Sequence, residues 1–309
     1  MLRHFNTLIE LCDAFPTEQN CIDHLTAIRW RDGKFCPLCG NAEEARIGTL
    51  TGTNTHKCYV CRERFSIRVG TIFQDTKLPL RKWFIAIWMV TSHTKGIAST
   101  VLAKDLGVTQ KTAWFVLHRL RHASRTPSFQ APLQGVVEID ETFIGGREEN
   151  KHADKRMHQK GGTGGTGGKT VVMGILERND DLRAGVVDDT RKDTLEPIIE
   201  HHVAAGAIVY TDEHLAYRAL DQRFDHSTVR HSRREYVRGP VHTNGIESVW
   251  ALLKRQIIGI HHWVSPKHLD QYVAEMSFRF NAREMKSGER CDALPGQIEG
   301  PLPYKVLTA

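Results

Sequence analysis

An α/β fold with a mixed sheet is predicted for the second half of this 309-residue chain, preceded by a small metal-bound module and a pair of helices. Apolar strand-like runs cover 136–140, 170–176, 183–187 and 207–212, and a helical pattern at 194–204 separates the last two. Strand patterns broken by helical ones are typical of α/β sheets. Two closely spaced cysteine pairs and two helical segments joined by a glycine indicate that the front half forms separate modules.

Composition excludes several protein classes. A hydrophobic content of 40% with 25% charged residues is that of a globular protein, so a disordered chain and a coiled coil are both excluded. The longest apolar run, 83–90, is shorter than the roughly 20 residues that a membrane span needs. The first residues lack the pattern of a secretory signal, so we expect a cytoplasmic protein with no membrane partner.

Positive charge is concentrated in the front half. The net charge is +6, but residues 1–130 hold 18 Lys and Arg against 10 Asp and Glu, whereas residues 131–309 hold 24 against 26. A cationic excess attracts polyanions, and an acidic region repels them unless it binds cations itself. The front half is therefore the first candidate for contact with nucleic acid.

Four of the seven cysteines form two pairs, Cys36 with Cys39 and Cys58 with Cys61, separated by 18 residues. This is the spacing of a zinc site with four thiolates, and it predicts a zinc ribbon. Gly40 suits the turn after the first pair, which needs a positive φ. The alternative is two unrelated pairs or a redox pair. Basic residues around the second pair favour nucleic acid, and a solvated rim on a structural zinc module is the alternative.

Three helices are predicted between the cysteines and the sheet. The segment 80–91 has the apolar spacing of a core helix, and the segments 99–106 and 110–121 flank a turn at Gly107. With Thr109 as N-cap of the second segment, this is a helix-turn-helix pattern, which also occurs in proteins that do not bind DNA. Its apolar face leaves polar side chains suited to DNA grooves and phosphates outside, namely Gln110, Lys111, Trp114, His118, Arg119 and Arg121.

Acidic residues end two of the predicted strands. Asp140 ends one apolar run and Asp212 ends another, and two such acids repel each other unless a divalent cation lies between them. In the helix that follows, Glu247 and Lys254 are two turns apart on one face. A capping box with Asn244 as N-cap and Glu247 at the third helical position is the structural alternative. Ordinary surface acids are the alternative for the two aspartates.

Several segments together resemble a known family. Besides the cysteine pairs and the helix-turn-helix, these segments are EIDETFIGG, VYTDEHLAY, HTNGIESVWALLKR and FRFNAR. Together they resemble bacterial insertion-sequence transposases with an ISXO2-like catalytic domain, over nearly the whole chain. The resemblance implies an RNase H-like fold and a DDE-type metal site at Asp140, Asp212 and Glu247, with Lys254 as the following basic residue. Because members of this group use Asn or Glu as the third catalytic residue, Asn244 is a rival to Glu247.

The resemblance also implies a domain order. We expect a zinc ribbon with an N-terminal lead at 1–75, a helix-turn-helix region at 76–128, and an RNase H-like domain at 129–285 with a glycine-rich insertion at 145–169. The tail, 286–309, has no recognisable motif.

The implied activity is metal-dependent cleavage at the terminal inverted repeats of a transposon, followed by strand transfer to target DNA. Asp140 would contact both of two Mg²⁺ or Mn²⁺ ions, and Asp212 and Glu247 one each, while Zn²⁺ is structural. The expected partners are the transposon ends, the target DNA and further copies of the chain, on the bacterial nucleoid. The alternatives are a DNA-binding regulator with an inactive RNase H-like domain and a structure-selective nuclease.

Overall fold

The computed structural model describes residues 4–125, 131–146, 168–295 and 300–308. The chain forms two compact units, one of Met1–Arg125 with Glu284–Ala309 and one of Thr126–Arg283. The C-terminal tail thus belongs to the first unit, a placement that no motif indicated. The predicted boundary at 128 and most of the predicted insertion at 145–169 lie outside the described residues, and the predicted domain limits stay predictions.

Helices dominate the first unit, whereas strands and helices share the second. The helices are α1 Leu8–Ala14, α2 Glu18–Arg29, α3 Leu80–Ser92, α4 Ser99–Leu106, α5 Gln110–Ala123, α6 Lys192–His202, α7 Asn244–Gln256, α8 Pro266–Asn281, α9 Ser287–Ala293 and α10 Tyr304–Thr308. The strands are β1 Ile47–Thr49, β2 Thr55–Cys58, β3 Arg64–Ser66, β4 Val136–Ile144, β5 Thr170–Glu177, β6 Leu182–Val187, β7 Ile208–Thr211, β8 Asp225–Thr228, β9 Val237–Arg238 and β10 Val241–His242. Within the described ranges, no helix is long and apolar enough to cross a membrane.

In the first unit, β1, β2 and β3 form a small antiparallel sheet that is followed by a helical core. The predicted core helix is α3, whose Trp83 and Phe84 are buried and make edge-to-face contacts with neighbouring aromatic rings. The next two helices, α4 and α5, pack against each other. Gly107 ends α4 with a φ of 60°, and the Thr109 hydroxyl accepts the Thr112 N–H at 3.2 Å, so the predicted turn and cap are present.

The structure corrects the predicted outer face of α5. Arg119 and Arg121 are only 6% and 1% exposed, and His118 is fully buried. The Arg119 guanidinium donates to the carbonyl oxygens of Ile72 at 2.7 Å and Leu302 at 3.2 Å, and burial lowers its pKa. The prediction that Arg119 and Arg121 face DNA is therefore wrong, because chain segments distant in sequence cover this side of the helix.

Only the start of α5 presents its predicted DNA-binding side chains to solvent. Gln110 and Lys111 are exposed, and the Gln110 amide donates to the Ser99 hydroxyl at 2.9 Å. The N-terminal end of the second helix is also the part that reads bases in DNA-bound helix-turn-helix motifs. These two residues remain candidates.

The second unit contains the predicted mixed sheet, with strand order β6-β5-β4-β7-β8. Strand β5 is antiparallel to both β4 and β6, whereas β4, β7 and β8 are parallel. Strand β8 was not predicted, because its residues, Asp225–Thr228, have no apolar run and are exposed or only partly buried. The four predicted strands and the helix between β6 and β7 are present, but β4 continues to Ile144, so Asp140 lies inside this strand and not at its end as predicted.

Helices cover both faces of this sheet. One core layer joins Val137, Ile139 and Ile175 to α6, and the other joins Val172 and Leu176 to α7 and α8. Because side chains alternate along a strand, even-numbered residues of β4 face α7. This alternation places the polar side chains of β4 against the helix that carries the third predicted acid.

A glycine allows α7 to pack closely on the sheet. Gly174 of β5 pairs with Asp140 of β4 in the antiparallel register. A Cβ atom on Gly174 would lie 2.5 Å from the Trp250 ring, a distance that real Cβ contacts do not reach. The indole of Trp250 therefore lies over this glycine, next to Asp140.

Candidate active site and zinc site

The four paired cysteines converge in the first unit. Their Sγ atoms lie within 4.8 Å of one another, with 3.8 Å between those of Cys36 and Cys61 and 3.7 Å between those of Cys39 and Cys58. A tetrahedral zinc ion with Zn–S bonds of about 2.3 Å requires sulfur separations of about 3.8 Å. All four are free thiols, so the residues fit a structural zinc ion and leave no open coordination position.

The two cysteine turns have matching backbone geometry. The N–H of Cys36 donates to the carbonyl of Asn41 at 2.8 Å, and the N–H of Cys58 donates to the carbonyl of Glu63 at 3.0 Å, five residues ahead in both turns. The residue after the second cysteine of each pair has a positive φ, 73° at Gly40 and 68° at Arg62. The positive φ expected at Gly40 is present, and Arg62 adopts the same conformation with a side chain.

We expect Arg62→Gly to stabilise the zinc-loaded protein by about 0.5–1 kcal/mol, because the left-handed conformation costs an L-residue about 1–2 kcal/mol and glycine loses part of that gain to chain entropy. Gly40→Ala should destabilise it by a similar amount. Denaturant unfolding of the full chain measures both effects. Arg64→Gly, on the neighbouring strand β3, is the matched control and should destabilise. A destabilising Arg62→Gly would contradict this account.

In the second unit, the register of the sheet relates the positions of Asp140 and Asp212. Parallel pairing ends with Glu138 of β4 opposite Tyr210 of β7, and Asp140 and Asp212 each follow two residues later, Asp140 within β4 and Asp212 just past the end of β7. The Trp250 indole N–H donates to Asp140 Oδ2 at 3.0 Å. One Asp212 carboxylate oxygen accepts the N–H of His214 at 2.9 Å. Each aspartate is therefore held in place by a neighbouring donor.

Electrostatics link Asp140 to both of the other predicted acids. Burial raises the pKa of Asp140 to about 7, the charge of Asp212 adds to this, and Glu247 contributes less. Among the described residues, only the four cysteines form a group of three or more metal-ligand side chains at binding distance. The three carboxylates thus interact electrostatically, but their oxygens do not all lie within the distance at which one ion could bind them. They are hard oxygen donors of the kind that Mg²⁺ and Mn²⁺ prefer.

Glu247 lies in the first turn of α7, and its carboxylate does not cap the helix. The helix begins at Asn244 with Thr243 as N-cap, which places Glu247 one position beyond the capping-box position. Its Oε1 accepts the Thr243 hydroxyl at 2.9 Å and lies 3.8 Å from His231 Nε2. The capping box proposed from the sequence is absent from this helix.

The carboxylate that caps α7 comes from the sheet. Glu138, 1% exposed, accepts the N–H of Ile246 at 3.0 Å and the Arg178 Nε–H at 2.7 Å. A Cβ atom on Gly245 would lie 2.8 Å from Glu138 Oε2, so a glycine is needed where helix and carboxylate meet. Glu138 therefore fixes the start of α7 against β4, two residues before Asp140 on the same face. The sequence indicated no role for Glu138.

A further carboxylate, Glu141, lies on the opposite face of β4. The hydroxyl of Tyr217, itself 1% exposed, donates to Glu141 Oε1. Burial raises the pKa of Glu141 to about 7, and the charges of Asp140 and Asp212 add to this. This pair was not predicted from the sequence, although Glu141 directly follows Asp140 in the chain.

The remaining predicted site residues lie on α7. Lys254 is exposed two turns beyond Glu247. Asn244 is exposed at the first helical position, and its backbone oxygen accepts the Ser248 hydroxyl at 2.8 Å. Both are accessible to a substrate.

In the zinc-loaded protein without added Mg²⁺ or Mn²⁺, the contribution of Asp140 and Glu141 to the free energy of unfolding should fall as the pH rises from about 4 to 7. The folded-state pKa values of Asp140 and Glu141 are raised to about 7, so their contribution is complete below the unfolded values near 4 and is lost as the pH passes 7. Denaturant titrations at several pH values measure the decline. In Asp140→Asn this decline should be smaller by on the order of 2–4 kcal/mol. An equal decline in the wild type and in Asp140→Asn would show that the titration of Asp140 is not its cause.

Comparison with known proteins shows which family this chain belongs to. The ISXO2-like transposase domain matches residues 132–281, which include all three acids, and the transposase zinc-ribbon domain matches residues 16–64, which include all four cysteines. A transposase-like protein of Haemophilus influenzae is 34% identical over 103 residues, covering 33% of this chain and 82% of that protein. The chain belongs to the ISXO2-like insertion-sequence transposases.

One further relative and one solved structure are also similar to this transposase. A protein in the transposable element ISH50 of Halobacterium salinarum is 29% identical over 273 residues, covering 86% of this chain and 91% of its own. The chain also matches a crystal structure of a pre-cleavage Mos1 transpososome, over 69% of this chain and 78% of that chain, with 12% sequence identity. The TM-score is 0.25, which is too low to support an argument. The family and the zinc ribbon predicted from the sequence are confirmed, as is the α/β class with a mixed sheet.

Proposed function

We propose that this transposase cleaves DNA at the terminal inverted repeats of its element and joins the ends to target DNA. The observation that carries the proposal is that Asp140 and Asp212 each lie two residues beyond the last parallel pair of β4 and β7, and that the charges of both Asp212 and Glu247 raise the pKa of Asp140. Cleavage and joining are both phosphoryl transfers, which catalytic acids promote mainly by holding cations.

The carboxylates of Asp140, Asp212 and Glu247 would hold two divalent cations, Mg²⁺ or Mn²⁺. Bound there, the cations supply the positive charge that activates the attacking hydroxyl and stabilises the leaving oxygen. The role of the chain is to fix the donors: Trp250 orients Asp140, and the backbone N–H of His214 orients Asp212. Lys254 would bind a substrate phosphate from the same face of α7.

Glu247 is the third catalytic residue in this proposal. Its carboxylate interacts electrostatically with Asp140 and is not used as a helix cap. Its side chain is 44% exposed, so it is open to a cation. Asn244 offers only a neutral amide oxygen, and no interaction between it and Asp140 is found in the described part of the chain.

The first unit would hold the transposon ends. Its zinc ribbon and the α4–α5 helix pair belong to the basic half of the chain, and Gln110 and Lys111 are the exposed candidates for base and phosphate contacts. Cutting two ends and joining them would need more than one copy of the chain. We place this activity at the bacterial nucleoid, in the cytoplasm, where chromosomal DNA lies.

An in vitro cleavage assay tests the proposal. The purified, zinc-loaded full chain is incubated with duplex DNA that carries the cognate terminal repeats, with Mg²⁺ and, in parallel, without any added divalent cation. We expect nicked and joined products only with Mg²⁺. Specific binding to the ends without cleavage at any Mg²⁺ or Mn²⁺ concentration would identify a regulator and refute the proposal.

A further inference from the structure

A strongly basic loop lies in the otherwise acidic half of the chain. We name residues 229–240, which join β8 to β10 and include β9, the arginine loop. It contains four arginines and a single acid, whereas residues 131–309 together hold more acids than bases. All four arginines are exposed: Arg230, Arg233, Arg234 and Arg238.

One end of the arginine loop is attached to the proposed active site. The N–H of Ser232 donates to Glu213 Oε1 at 2.8 Å, and this contact lowers the pKa of Glu213, the residue after Asp212. His231 Nε2 lies 3.8 Å from the Glu247 carboxylate. The loop therefore contacts residues at or next to two of the three proposed catalytic acids.

The other end is fixed to the core of the same unit. Arg178 donates to the carbonyl oxygens of Pro240 at 2.9 Å and His242 at 3.0 Å. Val241 is buried against Val229 and Tyr210. Because both ends are held, the loop has a defined position, with its first residues beside Glu213 and Glu247.

The four guanidinium groups form no salt bridge within the ranges that the structure describes. Like charges this close in sequence repel one another. A polyanion that binds to the loop neutralises this repulsion and so lowers the electrostatic free energy of the loop. Tyr236 and Val237, 55% and 51% exposed, add flat apolar surface between the charges. Guanidinium forks beside an aromatic ring suit a nucleic-acid backbone, since each fork can bind a phosphate through two hydrogen bonds.

We propose that the arginine loop binds the phosphates of the DNA strand next to the bond that the active site cleaves, with Tyr236 against a sugar or base of that strand. The identity of this DNA as the substrate rests on the proposed function. The carboxylates of the second unit repel a polyanion, and the loop supplies compensating positive charge beside Glu247. The competing ligand is an acidic surface on a second copy of the chain. Such a surface would be repelled by the catalytic acids next to the loop, and no catalytic step requires it there.

The salt dependence of binding tests this proposal in the full chain. Neutralising one phosphate contributes a slope of about 0.9 to the decrease of log affinity with log salt concentration. The triple variant Arg233→Ala, Arg234→Ala, Arg238→Ala should therefore lower this slope by about 2–3 for cognate-end DNA and raise the KM of cleavage at least tenfold. The matched control removes three charges of the same unit that are paired with acids: Arg191→Ala, Lys192→Ala and Arg223→Ala. It should leave both quantities near their wild-type values.

A second measurement does not depend on cleavage. With p-benzoylphenylalanine in place of Tyr236 and Ca²⁺ in the buffer, ultraviolet light should crosslink the protein to nucleotides beside the cleavage position. Crosslinks to a second protein chain instead of DNA, or an unchanged salt slope in the triple variant, would overturn the proposal. If the wild-type protein binds ends but never cleaves, the proposed function fails, while the slope and the crosslink still decide the role of the loop.

Discussion

Asp140→Asn is expected to reduce DNA cleavage by at least about 10³-fold, a barrier increase of about 4 kcal/mol, while binding to the transposon ends stays at the wild-type level. The substitution removes the charge that would hold the cations and keeps the shape of the side chain. An amide oxygen can still accept the Trp250 N–H, so the contact between β4 and α7 survives. The ends would be bound by the other unit, which the substitution leaves unchanged.

Single-turnover cleavage with Mg²⁺ measures this loss, and gel-shift titration measures end binding in the same preparation. Asp221→Asn is the matched control, because Asp221 lies in the same unit with a side chain that is 71% exposed and pairs with His226. It should cleave at the wild-type rate. Cleavage by Asp140→Asn within tenfold of wild type would refute the metal-holding role. The same assay shows whether Glu247 or Asn244 is the third catalytic residue. We expect Glu247→Gln to lose cleavage and Asn244→Ala to keep it.

Strands β4 to β7 and the acids that close the apolar runs of β4 and β7 could be predicted because each depends on local sequence. An acid closes each of these two runs, although β4 continues past Asp140 to Ile144, whereas Asp212 directly follows the last residue of β7. The zinc site was predictable for the same reason, since two short cysteine turns fix its ligands. The polar edge strand β8 has no such local pattern and was missed.

Contacts between distant residues account for the errors. Arg119 has the charge and helical position of a DNA-binding residue, yet it is covered by Leu302, far away in the chain. Glu247 follows a plausible N-cap, yet the cap of α7 is Glu138, more than 100 residues earlier. A local pattern cannot show which distant group already satisfies a helix end or buries a charge. Both errors concern charged residues whose partners are supplied only by the tertiary fold.

Glu138→Ala is expected to lower the free energy of unfolding by about 3–5 kcal/mol. Removing one partner of a buried ion pair leaves an uncompensated charge, here Arg178, and an unsatisfied N–H at Ile246. Glu138→Gln should cost less, because its amide oxygen can still accept the Ile246 N–H. We further expect Glu138→Gln to weaken Mn²⁺ binding, since the start of α7 and Glu247 would no longer be held firmly against β4.

Denaturant unfolding of the zinc-loaded protein without added Mg²⁺ or Mn²⁺ measures the stability of these variants, and titration with Mn²⁺ followed by electron paramagnetic resonance measures cation binding. Glu200→Ala is the matched control, because it removes a glutamate from a surface pair with Arg223 and should cost at most about 1 kcal/mol. Weaker Mn²⁺ binding in a Glu138→Gln protein that remains folded would separate the positioning of Glu247 from a general loss of structure. If Glu138→Ala proved as mild as Glu200→Ala, the carboxylate would not be what holds α7 in place, and the position of the third acid would need another cause.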